Sequence, residues 1–166
     1  MKVALVALLF AASALAQSPS AVAQLACGPD NFRFNVKLDK STHAPAQSEP
    51  GKATVYFIHE ADSPTTFGYP TTMIGMDGAW VGANKSSYFF VSVEPGEHHV
   101  CAAFKYGMAH GDEYLHFTAE AGKAYYFRTR LERIPGNLIL RLNPVDSDES
   151  NGLIASLPLS VSMPKK

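Results

Sequence analysis

An excess of either charge is missing from this chain: 14 Lys and Arg stand against 15 Asp and Glu, for a formal net charge of −1. Such a balance gives no electrostatic case for nucleic acid or an anionic membrane as partner, and the closing Lys165-Lys166 pair is too short to change that. Long apolar runs are missing too. The most extended, Val3 to Ala14, is about a dozen residues, well short of the roughly 20 that cross a bilayer as a helix, so no transmembrane segment is expected. The sequence has no Gly-x-Ser-x-Gly elbow and no glycine-rich phosphate loop, and His59-Glu60 lacks the second histidine of a zinc-protease motif. A triad can assemble from distant positions, so this removes only the motif-borne enzymes. Cysteine is scarce, with Cys27 and Cys101 alone.

What is present begins with export. Lys2, the apolar run and the small-residue pattern Ala14-Leu15-Ala16 before Gln17 are the three parts of a secretory signal peptide. Cleavage after Ala16 is expected, with Ala23, closing Ala21-Val22-Ala23, as the alternative. The remaining chain of roughly 140 to 150 residues suits a single domain burying about two-thirds of its unfolded surface. In an exported protein an even cysteine count points to one Cys27–Cys101 disulfide rather than to thiol chemistry. The rival reading, a lipid anchor on Cys27, fits poorly. Such sites usually carry an aliphatic residue three before the cysteine, where this chain has Gln24, and the apolar run ends well before it.

Three turn signatures, Glu49-Pro50-Gly51-Lys52, Glu94-Pro95-Gly96-Glu97 and Glu120-Ala121-Gly122-Lys123, each precede an aromatic or β-branched run. Proline presets φ at the first central position of a tight turn and glycine supplies the positive φ of the second. Their unequal spacing makes them recurring turn chemistry, not a tandem repeat. Asn31 to Asp39 alternates, with Phe32, Phe34, Val36 and Leu38 on one side, as an edge strand with one wet face does. A Pro/Ser/Ala-rich tether, Ser41 to Gly51, follows. Further strands are predicted over 53–59, 71–76, 80–83, 88–93, 98–104, 114–119, 124–130 and 138–142, with Asp77-Gly78 as a hairpin turn. Tyr88-Phe89-Phe90-Val91 and Tyr125-Tyr126-Phe127 are apolar on both faces, so their strands should be central. Asp146 to Glu149 carries the acids and caps of a short helix ending near Ser156, although Gly152 weakens it. The organisation expected is a signal peptide over 1–16 (or 1–23), an edge strand and tether over 27–51, and an antiparallel β-sandwich over 52–160.

Chemistry concentrates around His110, Asp112, Glu113 and His116, placed in or beside a loop. Imidazole and carboxylate can share one divalent transition metal, so these four are candidate ligands, with His99 a further member, although the spacing fits no strong signature. The bland alternative is a solvated loop. Tyr69, Trp80 and Tyr106 fall at strand ends or loops, where an exposed aromatic can stack on a sugar or anchor a protein partner; core packing is the competing role. Asn84-Lys85-Ser86 matches the N-glycosylation pattern by chance.

Three stretches, Pro50-Gly51-Lys52-Ala53-Thr54-Val55-Tyr56-Phe57, Val93-Glu94-Pro95-Gly96-Glu97-His98-His99 and Ala119-Glu120-Ala121-Gly122-Lys123-Ala124-Tyr125-Tyr126-Phe127, together with the Asp77-Gly78 turn, resemble a bacterial family of exported proteins known as domain of unknown function 2846. The similarity covers about Pro50 to Asp146. It implies an all-β, immunoglobulin-like or transthyretin-like sandwich and carries over no catalytic residues. Cys27 and Cys101 are not part of that pattern. The function expected is an exported non-catalytic binding or structural module of the bacterial cell envelope, periplasmic or extracellular, without cofactor, whose partner is an envelope protein or polysaccharide. The alternatives are a carbohydrate-binding module using Tyr69, Trp80 or Tyr106, and a metal-dependent enzyme using His110 to His116.

Overall fold

Turn chemistry sets the strand boundaries. In the computed structural model, which describes residues 26–29, 32–41, 48–60, 70–106, 109–135 and 137–165, Gly51 and Gly122 take φ of 82° and 76°. Lys52 and Lys123 N–H groups close the two turns on the Glu49 and Glu120 carbonyls at 3.0 and 3.1 Å. The turns launch two parallel neighbours and bond to each other, with the Gly122 N–H on the Lys52 carbonyl at 2.9 Å. Asp77 and Gly78, with φ of 51° and 83°, form the expected hairpin turn, the type that needs positive φ at both central positions. The leader expected over 1–16 or 1–23 lies outside the described residues.

Among the described residues the strands are β1 (Phe34–Asp39), β2 (Ala53–His59), β3 (Thr72–Met76), β4 (Ala79–Asn84), β5 (Ser87–Val93), β6 (Gly96–Tyr106), β7 (Ala109–Ala119), β8 (Ala124–Ile134), β9 (Asn137–Pro144) and β10 (Leu159–Pro164), with a helix, α1 (Ser147–Ser156), between β9 and β10. They form a six-stranded sheet, β1-β10-β5-β2-β8-β9, and a four-stranded sheet, β4-β3-β6-β7. The protein is an all-β sandwich, antiparallel except where β2 meets β8 and β10 meets β5. Between the sheets lies the main core, including Phe57, Phe89, Phe127, Ile74, Val100 and Leu140. Phe57 sits 5.3 Å from Phe89 and 5.9 Å from Phe127, centroid to centroid. Each such ring contributes about 1.5–3 kcal/mol by leaving water. On the outer face of the large sheet, α1 covers Tyr56, Ile58 and Tyr88 with Ile154 and Leu157. Asp146 caps α1 by accepting the Glu149 N–H at 2.8 Å, as its sequence requires.

Strands β5 and β8 are central, and β2 between them is buried at every residue. At the edge, β1 shows its alternation through Val36, then loses it where Leu38 is exposed and Asp39 half-buried. One strand had no sequence signal strong enough to find: β10 is short, half serine and proline, and extends past the expected domain end at 160. Its role is to pair with β1 and close one side of the sandwich. Ser162 Oγ accepts the Ala83 N–H at 2.9 Å and the Ser160 hydroxyl donates to the Ala83 carbonyl at 2.6 Å, which satisfies backbone groups on the edge strand β4. A second difference bears on function. Strands β6 and β7 run about as far as the chain between them allows, so His110 to Glu113 belong to β7 and not to a loop. Their register is continuous from Gly96–Ala119 to Tyr106–Ala109.

Candidate functional site

Strand alternation sorts β6 into two faces. Val100, Ala102 and Phe104 point into the core, so Cys101, Ala103 and Lys105 point out of the four-stranded sheet. Register then builds rows across that outer face. Trp80 on β4 pairs with Gly75 on β3, Gly75 with Cys101, and Cys101 with Tyr114 on β7. Beyond this row Ala103 pairs with Asp112, and Lys105 with His110. Large polar and aromatic side chains thus flank a floor of small ones.

The N-terminal segment lies across the floor as a strap. Cys27 is bonded to Cys101, with Cα atoms 5.2 Å apart. Glycine at 75 makes room: a Cβ there would stand 2.8 Å from the Ala26 carbonyl oxygen and 2.9 Å from Cys27 Cα. Gly28 lies against the indole, where a Cβ would come within 2.6 Å of Trp80 Cγ. Trp80 Nε1 donates to the Pro29 carbonyl at 2.8 Å, fixing ring and strap together. Between the strap, Trp80 and the outer faces of β6 and β7 is a trough of about 770 Å³, lined also by Ala103, Lys105, His110, Asp112 and Tyr114. That volume falls within the roughly 300–1,000 Å³ of small-molecule sites.

The electrostatics are mixed and close to neutral. Tyr114 donates its phenolic hydrogen to Asp112 Oδ2. Burial, reinforced by that hydrogen bond and by the Asp112 charge, pushes the Tyr114 phenol well above its usual range. It stays a neutral donor at any physiological pH. Asp112, His110 and Lys105 are exposed at the open end of the trough.

Comparison with protein-family models, with curated proteins and with solved structures finds no match.

The four metal candidates are not brought together. His110, Asp112 and His116 share the outer face, but Glu113, opposite Ala102, is on the other. From His110 to His116 the strand rises about 20 Å, at roughly 3.3 Å per residue, too far for one ion. His116 instead meets His99, with ring centroids 6.3 Å apart. Among the described residues no group of three or more His, Cys, Asp and Glu could hold a metal. Of the aromatic candidates, Trp80 lines the trough, Tyr69 lies outside the described residues, and Tyr106 pairs through its backbone with Ala109 at the end of the β6–β7 hairpin. Asn84, of the glycosylation pattern, is fully buried and donates through Nδ2 to the Phe57 carbonyl at 3.0 Å. His59 is buried, with Nδ1 3.0 Å from Thr129 Oγ1. Sequence reasoning missed Ala103, Lys105 and Tyr114. The signal was available: extending the β7 strand back to Ala109 puts His110, Asp112 and Tyr114 on one face.

A separate knot joins two turns to β6. His98 Nδ1 donates to Asp77 Oδ2 at 2.6 Å and Nε2 to the Glu94 carbonyl at 2.8 Å, while Asp77 Oδ1 accepts the His99 N–H at 2.9 Å. Burial opposes the charged imidazole, but the Asp77 hydrogen bond, the Glu94 carbonyl and the Asp77 charge outweigh it and raise its pKa. This is a structural clamp that ties the Asp77-Gly78 turn to β6.

Proposed function

We propose that this chain is an exported, non-catalytic binding module of the bacterial cell envelope, with the trough as its recognition surface. One observation carries the reading: Trp80 on β4 and the Asp112–Tyr114 pair on β7, distant from it in sequence, line a single ligand-sized cavity closed on one side by a disulfide-tied strap. Side chains held on strands keep their positions without a ligand, so binding loses little to ordering. Two features support absence of catalysis. Among the described residues of the lining there is no serine, threonine or free thiol, and Tyr114 remains a phenol. Export is supported by the leader pattern and by the bridge, since disulfides persist in oxidising compartments; no helix among the described residues is long and apolar enough to cross a membrane. The order of the three turn-and-strand motifs supports kinship with the exported family of domain of unknown function 2846.

The test is to fill the trough. Ala103 is half-buried on its floor, and Ala103→Phe occupies the space from a position outside the core. Cosedimentation with isolated cell-wall polymer and outer-membrane vesicles should show saturable binding by the wild type and a loss of about tenfold or more in the variant, the equivalent of about 1.4 kcal/mol. Equal retention of both proteins rules out the trough as the recognition surface.

A further inference from the structure

We infer that the trough takes a short oligosaccharide; this rests on the trough being the recognition surface. The inference comes from what each wall can offer. Trp80 has its only polar atom already engaged, because Nε1 donates to the Pro29 carbonyl at 2.8 Å. What the indole presents to a ligand is hydrocarbon surface, held in one orientation by the Nε1 bond and by Gly28 packed against the ring. Three strand spacings away, about 14 Å, the opposite wall is polar. Asp112 accepts the Tyr114 hydroxyl on Oδ2, which leaves Oδ1 to accept hydroxyl hydrogens and the phenolic oxygen lone pairs to do the same. Lys105, paired with His110 across β6 and β7, extends that wall with a donor. A pyranose has this division: an axial C–H face that stacks on an aromatic ring, and a rim of hydroxyls that donate and accept.

Other ligand classes fit less well, each for a physical reason. A phosphate or other anion would meet one lysine with the Asp112 carboxylate on the same wall, and like charge in a half-enclosed site costs more than the lysine returns. A purely apolar ligand would bury Asp112 and Lys105 without replacing their water. An extended peptide binds by adding to a free strand edge, whereas this floor is a sheet face: β6, beneath Ala103, is paired on both sides, with β3 and β7. A neutral, hydroxyl-rich chain has none of these costs.

The experiment uses the chain's single tryptophan, so that indole emission reports the trough alone. The bridged protein is titrated with oligomers of β-linked N-acetylglucosamine, β-linked glucose, α-linked glucose and mannose, and the same protein is applied to a glycan array. At least one oligomer should change Trp80 emission saturably. Asp112→Asn, which keeps shape but weakens the acceptor, should loosen it on the order of tenfold, and Ala103→Phe should remove it, both variants retaining a cooperative melt. Two results overturn the inference: an array and titrations without binding, or an oligomer bound equally by wild type and Ala103→Phe. A blank saccharide panel alongside Ala103-sensitive retention on envelope protein or peptide overturns the saccharide and leaves the binding module standing. Loss of that sensitivity overturns both.

Discussion

Breaking the Cys27–Cys101 bridge tests how the strap and the fold depend on each other. The bridge joins residues 74 apart. In the chain-entropy model a loop of that length removes about 15 cal/mol/K from the unfolded chain, or about 4.4 kcal/mol at 25 °C. A domain of this size has a total stability of roughly 5–15 kcal/mol, so the loss is about three-tenths of it or more. Cys27→Ala is the right change, because Cys27 is only half-buried whereas Cys101 is fully buried and its replacement would also open a cavity. Urea unfolding should be followed with two probes, Trp80 emission for the strap region and far-UV circular dichroism for the sheets. The expected result is a midpoint that falls in both probes together and a slope that rises, because the unlinked unfolded chain exposes more surface. A loss under about 1 kcal/mol with an unchanged slope would refute the unfolded-state account. So would an early Trp80 transition with the circular dichroism curve unmoved, since the bridge would then hold only the strap.

Three further outcomes follow from local geometry. Gly152 sits inside α1 with open space where a Cβ would go, so Gly152→Ala should stabilise by about 0.8–1 kcal/mol, read as a higher urea midpoint. Gly82 is different: a Cβ there would stand 2.6 Å from Phe89 Cζ in the core, and Gly82→Ala should cost about 1–3 kcal/mol and lower the melting temperature by several degrees. For His98 the raised pKa fixes the sign: its stabilisation is complete below the ordinary value of 6.5 and is lost as pH rises through the raised folded-state value. Unfolding free energy measured across that window should decline in the wild type and flatten in Asp77→Asn, which removes the charge that His98 faces; parallel curves would show that the clamp does not titrate.

Much of the fold was legible because its turns and strands obey local rules. Glu49 to Lys52 and Glu120 to Lys123 close as tight turns because proline or alanine followed by glycine suits those dihedrals, and Tyr125 to Phe127 is central because apolar residues on both faces need cover on both. Strand β10 was not legible, because its serines are there to bond the Ala83 backbone, a reason that exists only after the chain ends meet. The stretch from His110 to Glu113 misled for a related reason. Its glycine and acids read as loop chemistry, but Gly111 is needed where a Cβ would press to 2.9 Å from the Phe104 ring, and the acids stand on opposite faces of an edge strand.

The site follows from that same correction. Had His110 to Glu113 formed a loop, their side chains would have been free to converge on an ion; once they are strand, alternation sends Glu113 away and turns His110, Asp112 and Tyr114 into one wall. That wall alone is an ordinary solvated sheet face, as is Trp80 three strands across. The strap makes the difference. Because Cys101 lies in the row that joins Trp80 to Tyr114, the bridge that stabilises the chain also sets residues 27–29 over Gly75 and against the indole, and a flat face becomes a cavity. Stability and recognition are therefore coupled through one covalent bond. The unbridged Cys27→Ala protein should bind in the trough more weakly already without urea, while its sheets are still folded. Retained affinity there would mean that the strap covers the site without forming it.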